Sequence, residues 1–360
     1  MEFKPTADQV KLTGRCLSVK DMTFMSYSGS TLSFTFTGKK AEAAIFSDSP
    51  DWEEHLKGWV MVYLNDETVP RKRILLDYKD AVYTLYESLE EETVTVHLVK
   101  ISEAAFGKCG IRFLRIDTDK LLPPPAEKKH RIEIIGDSIT CGYGVEAESG
   151  MEPFHTVIEN PTKSYSLITA KMLKAEVNLV SWSGIGIISN WVPEDAAAPL
   201  DDWLMPMLYQ YTDASTSKLL FGEDHSKWEK WNFKAFIPEL IIINLGTNDT
   251  SYCKDIPERQ EFFKTQYHKF VDDVAGKNPT AHILCVLGTM EQILCPIIEE
   301  VVTSCHARPD GSRFHYLHLP LQSEEDGKGA DFHPSKLTHR KTAELIANEA
   351  RKIMGWQREI

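Results

Sequence analysis

The first third of the chain alternates between apolar and polar positions. Residues 32–36, 60–64 and 94–98 follow this period of two, and residues 111–116 have the composition of another strand. Turn-forming residues separate these runs, and no helical period appears among them. Alternating β-branched and aromatic residues are typical of short strands with one buried face. The pattern predicts a β-sandwich of the jelly-roll type over residues 1–122, in which two sheets each bury one face.

A proline-rich stretch ends this pattern. Pro123, Pro124 and Pro125 precede a charged segment that runs to residue 130. Proline has no backbone N–H to donate to a sheet, and consecutive prolines favour a stiff, extended spacer. We therefore predict a linker at residues 123–130, with a second domain at residues 131–360.

Beyond the linker, strand-sized apolar runs alternate with segments of helical period. Strands are predicted at residues 131–135, 177–180, 240–245 and 283–287, and helices at residues 163–173, 258–277 and 335–354. Ser335 is a suitable N-cap for the last helix and Gly355 a suitable stop. Alternating strands and helices indicate a parallel sheet covered on both faces. The predicted fold class is thus α/β, with an N-terminal β-sandwich followed by a three-layer α/β/α domain.

Composition narrows the classes of function. A length of 360 residues favours two domains, and a formal net charge of -13 argues against a nucleic-acid partner, which requires a basic surface. Residues 1–8 lack the features of a signal peptide, and no run is long enough for a membrane span. The seven cysteines are scattered, without zinc-like spacing. We expect a cytoplasmic protein with reduced thiols, no metal, no cofactor, no membrane partner and no obligatory protein partner.

Four polar segments lie where open α/β sheets carry reactive groups, beside strand and helix ends. They are Gly136-Asp137-Ser138, residues 181–186, residues 246–249 and residues 331–334. Each alone is compatible with an ordinary turn or helix cap. Together they supply a hydroxyl nucleophile, hydrogen-bond donors for a developing oxyanion, and a histidine base. This combination indicates acyl-ester hydrolysis.

In this order the four segments resemble the conserved blocks of the SGNH (GDSL-type) hydrolases, over residues 130–356. A jelly roll before such a half is similar to carbohydrate esterase family 2, whose members remove acetyl groups from plant polysaccharides. The stretches Glu159-Asn160 and Gly329-Ala330-Asp331-Phe332-His333-Pro334-Ser335 also resemble that family. The resemblance implies a serine esterase of the α/β/α SGNH fold that acts on acetylated xylan or mannan oligosaccharides.

The resemblance also implies roles for individual residues. Ser138 would attack the acyl carbonyl after His333 accepts its proton, and water would then hydrolyse the acyl-enzyme. The backbone N–H groups of Ser138 and Gly184 and the side-chain amide of Asn248 would form the oxyanion hole.

The sequence leaves two candidates for the group that orients His333. Most of the superfamily carries an aspartate three residues before the histidine, but Ala330 occupies that position here. Either the carboxylate of Asp331 reaches His333, or a main-chain carbonyl of the loop orients the ring, as in family members that use a Ser-His dyad. We favour the dyad.

Sugar recognition requires flat aromatic surfaces near the nucleophile. Tyr143, Trp182, Trp191 and Phe332 are the candidates, because each lies close in sequence to a catalytic segment. Two alternatives to the carbohydrate esterase stay open. The same four blocks serve lipases and thioesterases, and a glycan-binding protein with an inert hydrolase half belongs to a different class.

Overall fold

The computed structural model describes residues 1–357, so the last three residues of the predicted second domain lie outside the described part. The chain forms two compact units. The first contains Met1–Glu127, Phe154–Asn160 and Thr212–Glu229, and the second contains the rest of the chain, beginning at Lys128. The boundary between Glu127 and Lys128 lies inside the predicted linker.

The first unit is built on a nine-stranded antiparallel sheet. Its strands are β1 (Glu2–Phe3), β2 (Val10–Thr13), β3 (Leu17–Val19), β4 (Met22–Met25), β5 (Thr31–Phe46), β6 (Trp59–Leu64), β7 (Lys72–Leu75), β8 (Asp80–Lys100) and β9 (Cys109–Ile116). Seven strands follow the order β3-β4-β9-β5-β8-β6-β7, while β1 pairs with β9 and β2 with β5. All four predicted strand segments fall within this sheet.

Two long strands explain why the hydrogen-bonded ladder is continuous where the sequence suggests two separate sheets. Strand β5 pairs with β8 along nearly its whole length, with register shifts between Gly38 and Lys40 and between Ala41 and Glu42. Such irregularities bend a strand and increase its twist, so one long antiparallel pair of strands can serve both halves of a curled sheet. Phe34, Phe36 and Val96 are among the side chains of its buried core.

Two segments of the C-terminal half belong to the first unit. Thr216 Oγ1 lies 2.7 Å from Ser26 Oγ, both buried, and the buried carboxylate of Glu159 accepts a hydrogen bond of 2.9 Å from the Glu103 backbone N–H. The predicted domain 131–360 is therefore interrupted twice. Sequence periodicity reports local structure and carries no signal for such distant pairings.

The second unit contains a five-stranded parallel sheet in the order β11-β10-β12-β13-β14. Its strands are β10 (His130–Gly136), β11 (Ala175–Ser181), β12 (Leu240–Asn244), β13 (His282–Leu287) and β14 (Phe314–His318). The α-helices within residues 1–357 are α1 (Ser138–Cys141), α2 (Tyr165–Met172), α3 (Met205–Leu208), α4 (Ala214–Phe221), α5 (Thr247–Cys253), α6 (Pro257–Lys277), α7 (Cys295–Cys305) and α8 (Lys336–Met354). Helix α4 lies in the first unit. Strand β14 and helices α1, α3, α4, α5 and α7 were not predicted.

The strands of the second unit bury both faces. Ile132 and Ile134, with their counterparts on neighbouring strands, pack with residues of α2 and α8 in one cluster. The intervening positions point to the opposite face, where the Glu133 carboxylate accepts a 2.7 Å hydrogen bond from Tyr209 and Tyr209 packs edge-on against Phe270 of α6. This confirms the predicted α/β/α layering. Within residues 1–357, no helix combines the length and apolar character that crossing a membrane requires.

Candidate active site

Three of the four predicted segments leave the same edge of the parallel sheet. Gly136 at the end of β10 is in register with Ser181 of β11 on one side and with Asn244 of β12 on the other. Strand β10 is therefore the point at which the strand order reverses, and open α/β sheets bind their ligands at such points. The loops after these three strands begin side by side.

Ser138 and His333 meet at this edge. Ser138 is the first residue of α1, whose N-cap Asp137 accepts a hydrogen bond from the Ile139 N–H. Ser138 Oγ lies 2.9 Å from Nε2 of His333 although 195 positions separate the two residues. Because Nδ1 of His333 donates to the Ala330 carbonyl oxygen at 3.2 Å, Nε2 is the unprotonated nitrogen of the neutral ring. The pair therefore has the geometry of a nucleophile and its general base.

Burial sets the acidity of the imidazole. It lowers the pKa of His333 to about 4, although the carbonyls of Ala330 and Asp331 and the Asp331 carboxylate act in the opposite direction. At neutral pH the ring is consequently uncharged and able to accept a proton from Ser138.

The loop before His333 has an unusual backbone. Asp331 and Phe332 both adopt left-handed conformations, with φ of 47° and 60°, and such values are costly for residues other than glycine. In this turn the Asp331 carboxylate accepts a 2.9 Å hydrogen bond from the Tyr143 hydroxyl. The Tyr143 ring lies 4.3 Å from that of His333. The geometry matches the second alternative above, in which a main-chain carbonyl orients the base.

A neighbouring loop holds this turn in place. The backbone N–H of Ala330 donates to the Gly144 carbonyl, that of Asp331 to Glu152, and that of Phe332 to Gly150. A Cβ on Gly144 would come within 2.4 Å of the Ala330 Cβ, and the φ of Gly144 is +58°. Glycine is thus required where the two loops touch.

Three residues that line the cavity of this pair carry hydrogen-bond donors suited to an oxyanion. The N–H of Ser138 lies at the start of α1, where the helix leaves it without an intrahelical acceptor. Gly184 follows β11, and a Cβ on it would meet no atom within 4 Å. The Asn248 amide donates to the Ile185 carbonyl at 2.9 Å and has a longer contact of 3.4 Å with Asp137 Oδ2. All three residues line one cavity.

This cavity has a volume of about 970 Å³ and contains the serine and the histidine. Trp191, which is 60% exposed, lies in its wall. The remaining lining combines polar and apolar side chains, among them Glu194, Lys254, Glu291 and Ile293. A cavity of this size and polarity suits a ligand larger than a single sugar ring.

Comparison with known families identifies the two parts of the chain. The model described as "GDSL-like Lipase/Acylhydrolase" matches residues 132–346, and "Carbohydrate esterase 2 N-terminal" matches residues 12–125. This chain belongs to carbohydrate esterase family 2, a family of GDSL-type hydrolases. It is accordingly a serine carboxylic ester hydrolase.

Relatives of this esterase agree with the assignment. A "Cellulase/esterase CelE" from Acetivibrio thermocellus is 31% identical over 92% of this chain, which spans 38% of that protein's length. An "Acetylxylan esterase / glucomannan deacetylase" from Cellvibrio japonicus is 28% identical and covers 92% of this chain, with 84% of its own length matched. The structure of a family two carbohydrate esterase from Clostridium thermocellum in complex with cellohexaose matches with a TM-score of 0.83 at 30% identity, covering 97% of this chain and all of that one.

The fold brings most of the predicted site residues of this esterase together. Ser138, Gly184, Asn248, His333, Asp331, Tyr143 and Trp191 all line the cavity. Trp182 and Phe332 are not among the lining residues. The Trp182 ring packs against Trp203, with ring centroids 5.8 Å apart, and Phe332 is 55% exposed beside Gly150.

Four charged residues that line the cavity were not predicted from the sequence. Glu194, Lys254, Asp255 and Glu291 lie in loops with no recognisable motif, and only their exposure on the correct edge of the sheet distinguishes them. Sequence reasoning also assigned no role to Asp249, although this residue directly follows Asn248.

One group of potential metal ligands lies on α6 and α7 of this esterase. Ligand atoms of His268, Asp272 and Cys305 are all within 4.8 Å of one another. However, the Arg308 guanidinium is 2.6 Å from the Asp272 carboxylate, and its positive charge disfavours a cation there. We assign no metal to this cluster.

Proposed function

We propose that this esterase removes acetyl groups from acetylated xylan or mannan oligosaccharides through an acetyl-enzyme on Ser138. The observation that supports this proposal most directly is the hydrogen-bonded Ser138–His333 pair. The pair lies in a large cavity whose wall includes the exposed Trp191. Ser138 Oγ attacks the ester carbonyl carbon while His333 Nε2 accepts the hydroxyl proton. His333 then returns the proton to the departing sugar oxygen as the ester C–O bond breaks. Water hydrolyses the acetyl-enzyme by the same two steps and releases acetate.

The oxyanion of each tetrahedral intermediate would be bound by Ser138 N–H, Gly184 N–H and the Asn248 amide. The side-chain amide of Asn248 donates one hydrogen bond to the Ile185 carbonyl at 2.9 Å and has a longer contact of 3.4 Å with Asp137 Oδ2. The N–H in the longer contact is therefore the one that can donate to an oxyanion. Each such donor contributes about 2.7–4 kcal/mol in the transition state. Ala330 orients His333 through its carbonyl, in a Ser-His dyad.

The cavity wall supports an oligosaccharide as the substrate. Trp191 presents a flat apolar face, and Glu194, Asp255 and Glu291 offer acceptors for sugar hydroxyls. A long acyl chain would instead require a continuous apolar groove. The printed names of the relatives, which include acetylxylan esterase and glucomannan deacetylase, agree with this substrate class.

The decisive experiment is acetate release from acetylated xylan and mannan oligosaccharides in parallel, followed by NMR to locate the hydroxyls that lose acetyl groups. We expect release from at least one of them with the wild-type protein and none with Ser138→Ala. Comparing 4-nitrophenyl acetate with the octanoate ester tests acyl length, and faster cleavage of the octanoate would favour a lipase. Glycan binding by calorimetry without any acetate release would favour the non-catalytic alternative.

The cytoplasmic location is part of the same proposal. All seven cysteines are free thiols, and six are buried, which is the usual state of cysteines in a reducing compartment. Fractionation of cells that produce the natural protein tests this, and recovery of the esterase outside the cells would contradict it.

A further inference from the structure

The loop that carries Gly184 is tied to a buried carboxylate outside the catalytic set. Asp249 is fully buried on α5. Its Oδ1 accepts hydrogen bonds from the backbone N–H groups of Ile187, Ile188 and Ser189 at 2.9, 2.7 and 3.2 Å, and its Oδ2 shares the Ile187 N–H at 3.0 Å. Three consecutive N–H groups around one carboxylate form a compact anion-binding turn.

The turn is shaped for this carboxylate. A Cβ on Gly186 would lie 2.8 Å from Asp249 Oδ1 and 1.9 Å from the Ser189 carbonyl oxygen. Only glycine allows the backbone to approach so closely. The pairing of Gly186 with Asp249 therefore determines how near this loop lies to α5.

The same helix holds the loop at a second point. Asn248, the residue before Asp249, donates to the Ile185 carbonyl. One end of α5 thus binds the carbonyl at position 185 and the N–H groups at positions 187–189, directly after Gly184. Residues 184–189 have little freedom to move relative to Asn248, which is itself a proposed oxyanion donor.

We propose that Asp249 is a positioning residue of the oxyanion hole, which fixes the Gly184 N–H relative to the Asn248 amide. This inference rests on the proposed Ser138 mechanism. It assigns Asp249 no contact with substrate. Its carboxylate holds three N–H groups of one loop, so two oxyanion donors that follow different strands keep a constant separation. Preorganised donors stabilise a developing charge without reorganising during the reaction.

The charge on this carboxylate makes the arrangement sensitive to acid. Burial raises the pKa of Asp249 to about 6, against the opposing effect of the three backbone N–H groups. The titratable groups that sense its charge are Cys253 on its own helix and Tyr267 on α6, and burial raises the pKa of both, so they stay neutral at pH 4 to 8. A protonated carboxyl group accepts hydrogen bonds more weakly than a carboxylate.

The test compares Asp249→Asn with a matched substitution, using 4-nitrophenyl acetate. The asparagine keeps the shape but removes the charge and turns an N–H₂ group toward the Ile187 N–H. We expect kcat to fall about 10- to 100-fold, with KM changed less than about threefold. Affinity for methylboronic acid, which forms a tetrahedral adduct on the serine, should fall by a similar factor.

The control is Glu133→Gln, which makes the same carboxylate-to-amide change at a buried position of β10. It should leave kcat within about twofold even if Tm falls as much as in Asp249→Asn. If Asp249→Asn keeps kcat within about threefold while the wild-type protein is active, the inference fails and the proposed function stands. If the wild-type protein does not hydrolyse the ester, the proposed function fails first.

The wild-type protein offers a second test that does not depend on the variant folding. As pH falls, kcat should decline partially at about pH 6 as Asp249 is protonated, and further near pH 4 as His333 is protonated. The groups facing His333 are Tyr143, Asp331 and His339. Asp249→Asn should show the lower step alone. A wild-type profile that is level from pH 8 to 5 would overturn the inference.

Discussion

At the scale of single residues, the proposed catalytic base His333 has a carbonyl as its hydrogen-bond partner where a carboxylate is more usual. The Ala330 carbonyl fixes the tautomer of His333, so that Nε2 faces Ser138. A neutral carbonyl stabilises the transient imidazolium less than a carboxylate does. The Asp331 carboxylate is nevertheless close enough to favour the protonated ring through its charge, while its hydrogen bond goes to Tyr143.

Substituting Asp331 should therefore have a limited effect. We expect Asp331→Ala to lower kcat on 4-nitrophenyl acetate less than about tenfold, because the bond that orients His333 is to the Ala330 main chain. His333→Ala should lower kcat by about four to six orders of magnitude. Tyr143→Phe, which removes the hydroxyl partner of Asp331, should resemble Asp331→Ala. A loss of several orders of magnitude in Asp331→Ala would establish a triad.

Trp191 should act on the sugar and not on the ester bond. Its exposed ring lies in the cavity wall, and truncating an aromatic contact residue commonly costs more than about 1 kcal/mol of binding. We expect Trp191→Ala to raise KM for acetylated oligosaccharides about tenfold and to leave 4-nitrophenyl acetate hydrolysis unchanged. Phe262→Ala removes an exposed aromatic side chain from α6 and is the control. Equal losses on both substrates would indicate a structural role for Trp191.

At the scale of elements, α8 supports both the catalytic loop and α2. Its N-cap Ser335, two residues after His333, accepts a hydrogen bond from the Thr338 N–H. One turn later, the buried Nδ1 of His339 accepts a 3.1 Å hydrogen bond from the Tyr165 N–H at the start of α2. This bond occupies one of the N–H groups that a helix start leaves without a partner.

His339 should consequently control part of the acid sensitivity. Burial and the neighbouring His333 lower its pKa from 6.5 to about 3. Between these values the unfolded chain binds a proton that the folded chain does not, so stability falls as pH falls from 6.5 and the loss is complete below about 3. Denaturant unfolding should show His339→Gln to be less stable at pH 7, by about 1–3 kcal/mol, with a shallower decline toward acid. An unchanged pH dependence would contradict this.

At the scale of the whole molecule, the first unit includes two segments from the C-terminal half, residues 154–160 and 212–229. Ser26 bonds to Thr216, and the Glu103 N–H to Glu159. A fragment ending at residue 127 lacks residues 154–160 and 212–229. It loses their hydrogen bonds, worth about 0.5–1.5 kcal/mol each, and exposes to water the groups that they bury. We expect fragment 1–127 to unfold at lower temperature than the same unit in the intact protein, or not to fold. A fragment as resistant to heat and proteolysis as the intact chain would disprove this.

The sequence by itself determined the local elements and the chemistry of the site. The period of two identified strands of the first unit, and apolar runs with Ser335 and Gly355 located the main strands and the last helix, because burial repeats with the geometry of each element. The residue types in the four segments indicated a serine ester hydrolase. The prediction missed six strands (β1 to β4, β7 and β14) and five helices (α1, α3, α4, α5 and α7), although four of the five parallel strands were correct.

Only the tertiary structure decided which groups meet. The backbone turn at Asp331 and Phe332 aims a carbonyl at His333 and a carboxylate at Tyr143. Residues 212–229 join the first unit, and Asp249 binds the loop after Gly184. Each of these depends on contacts between residues far apart in the chain or on the φ angles of single residues. A pattern of apolar and polar positions records which side chains are buried, but not which partners they find there.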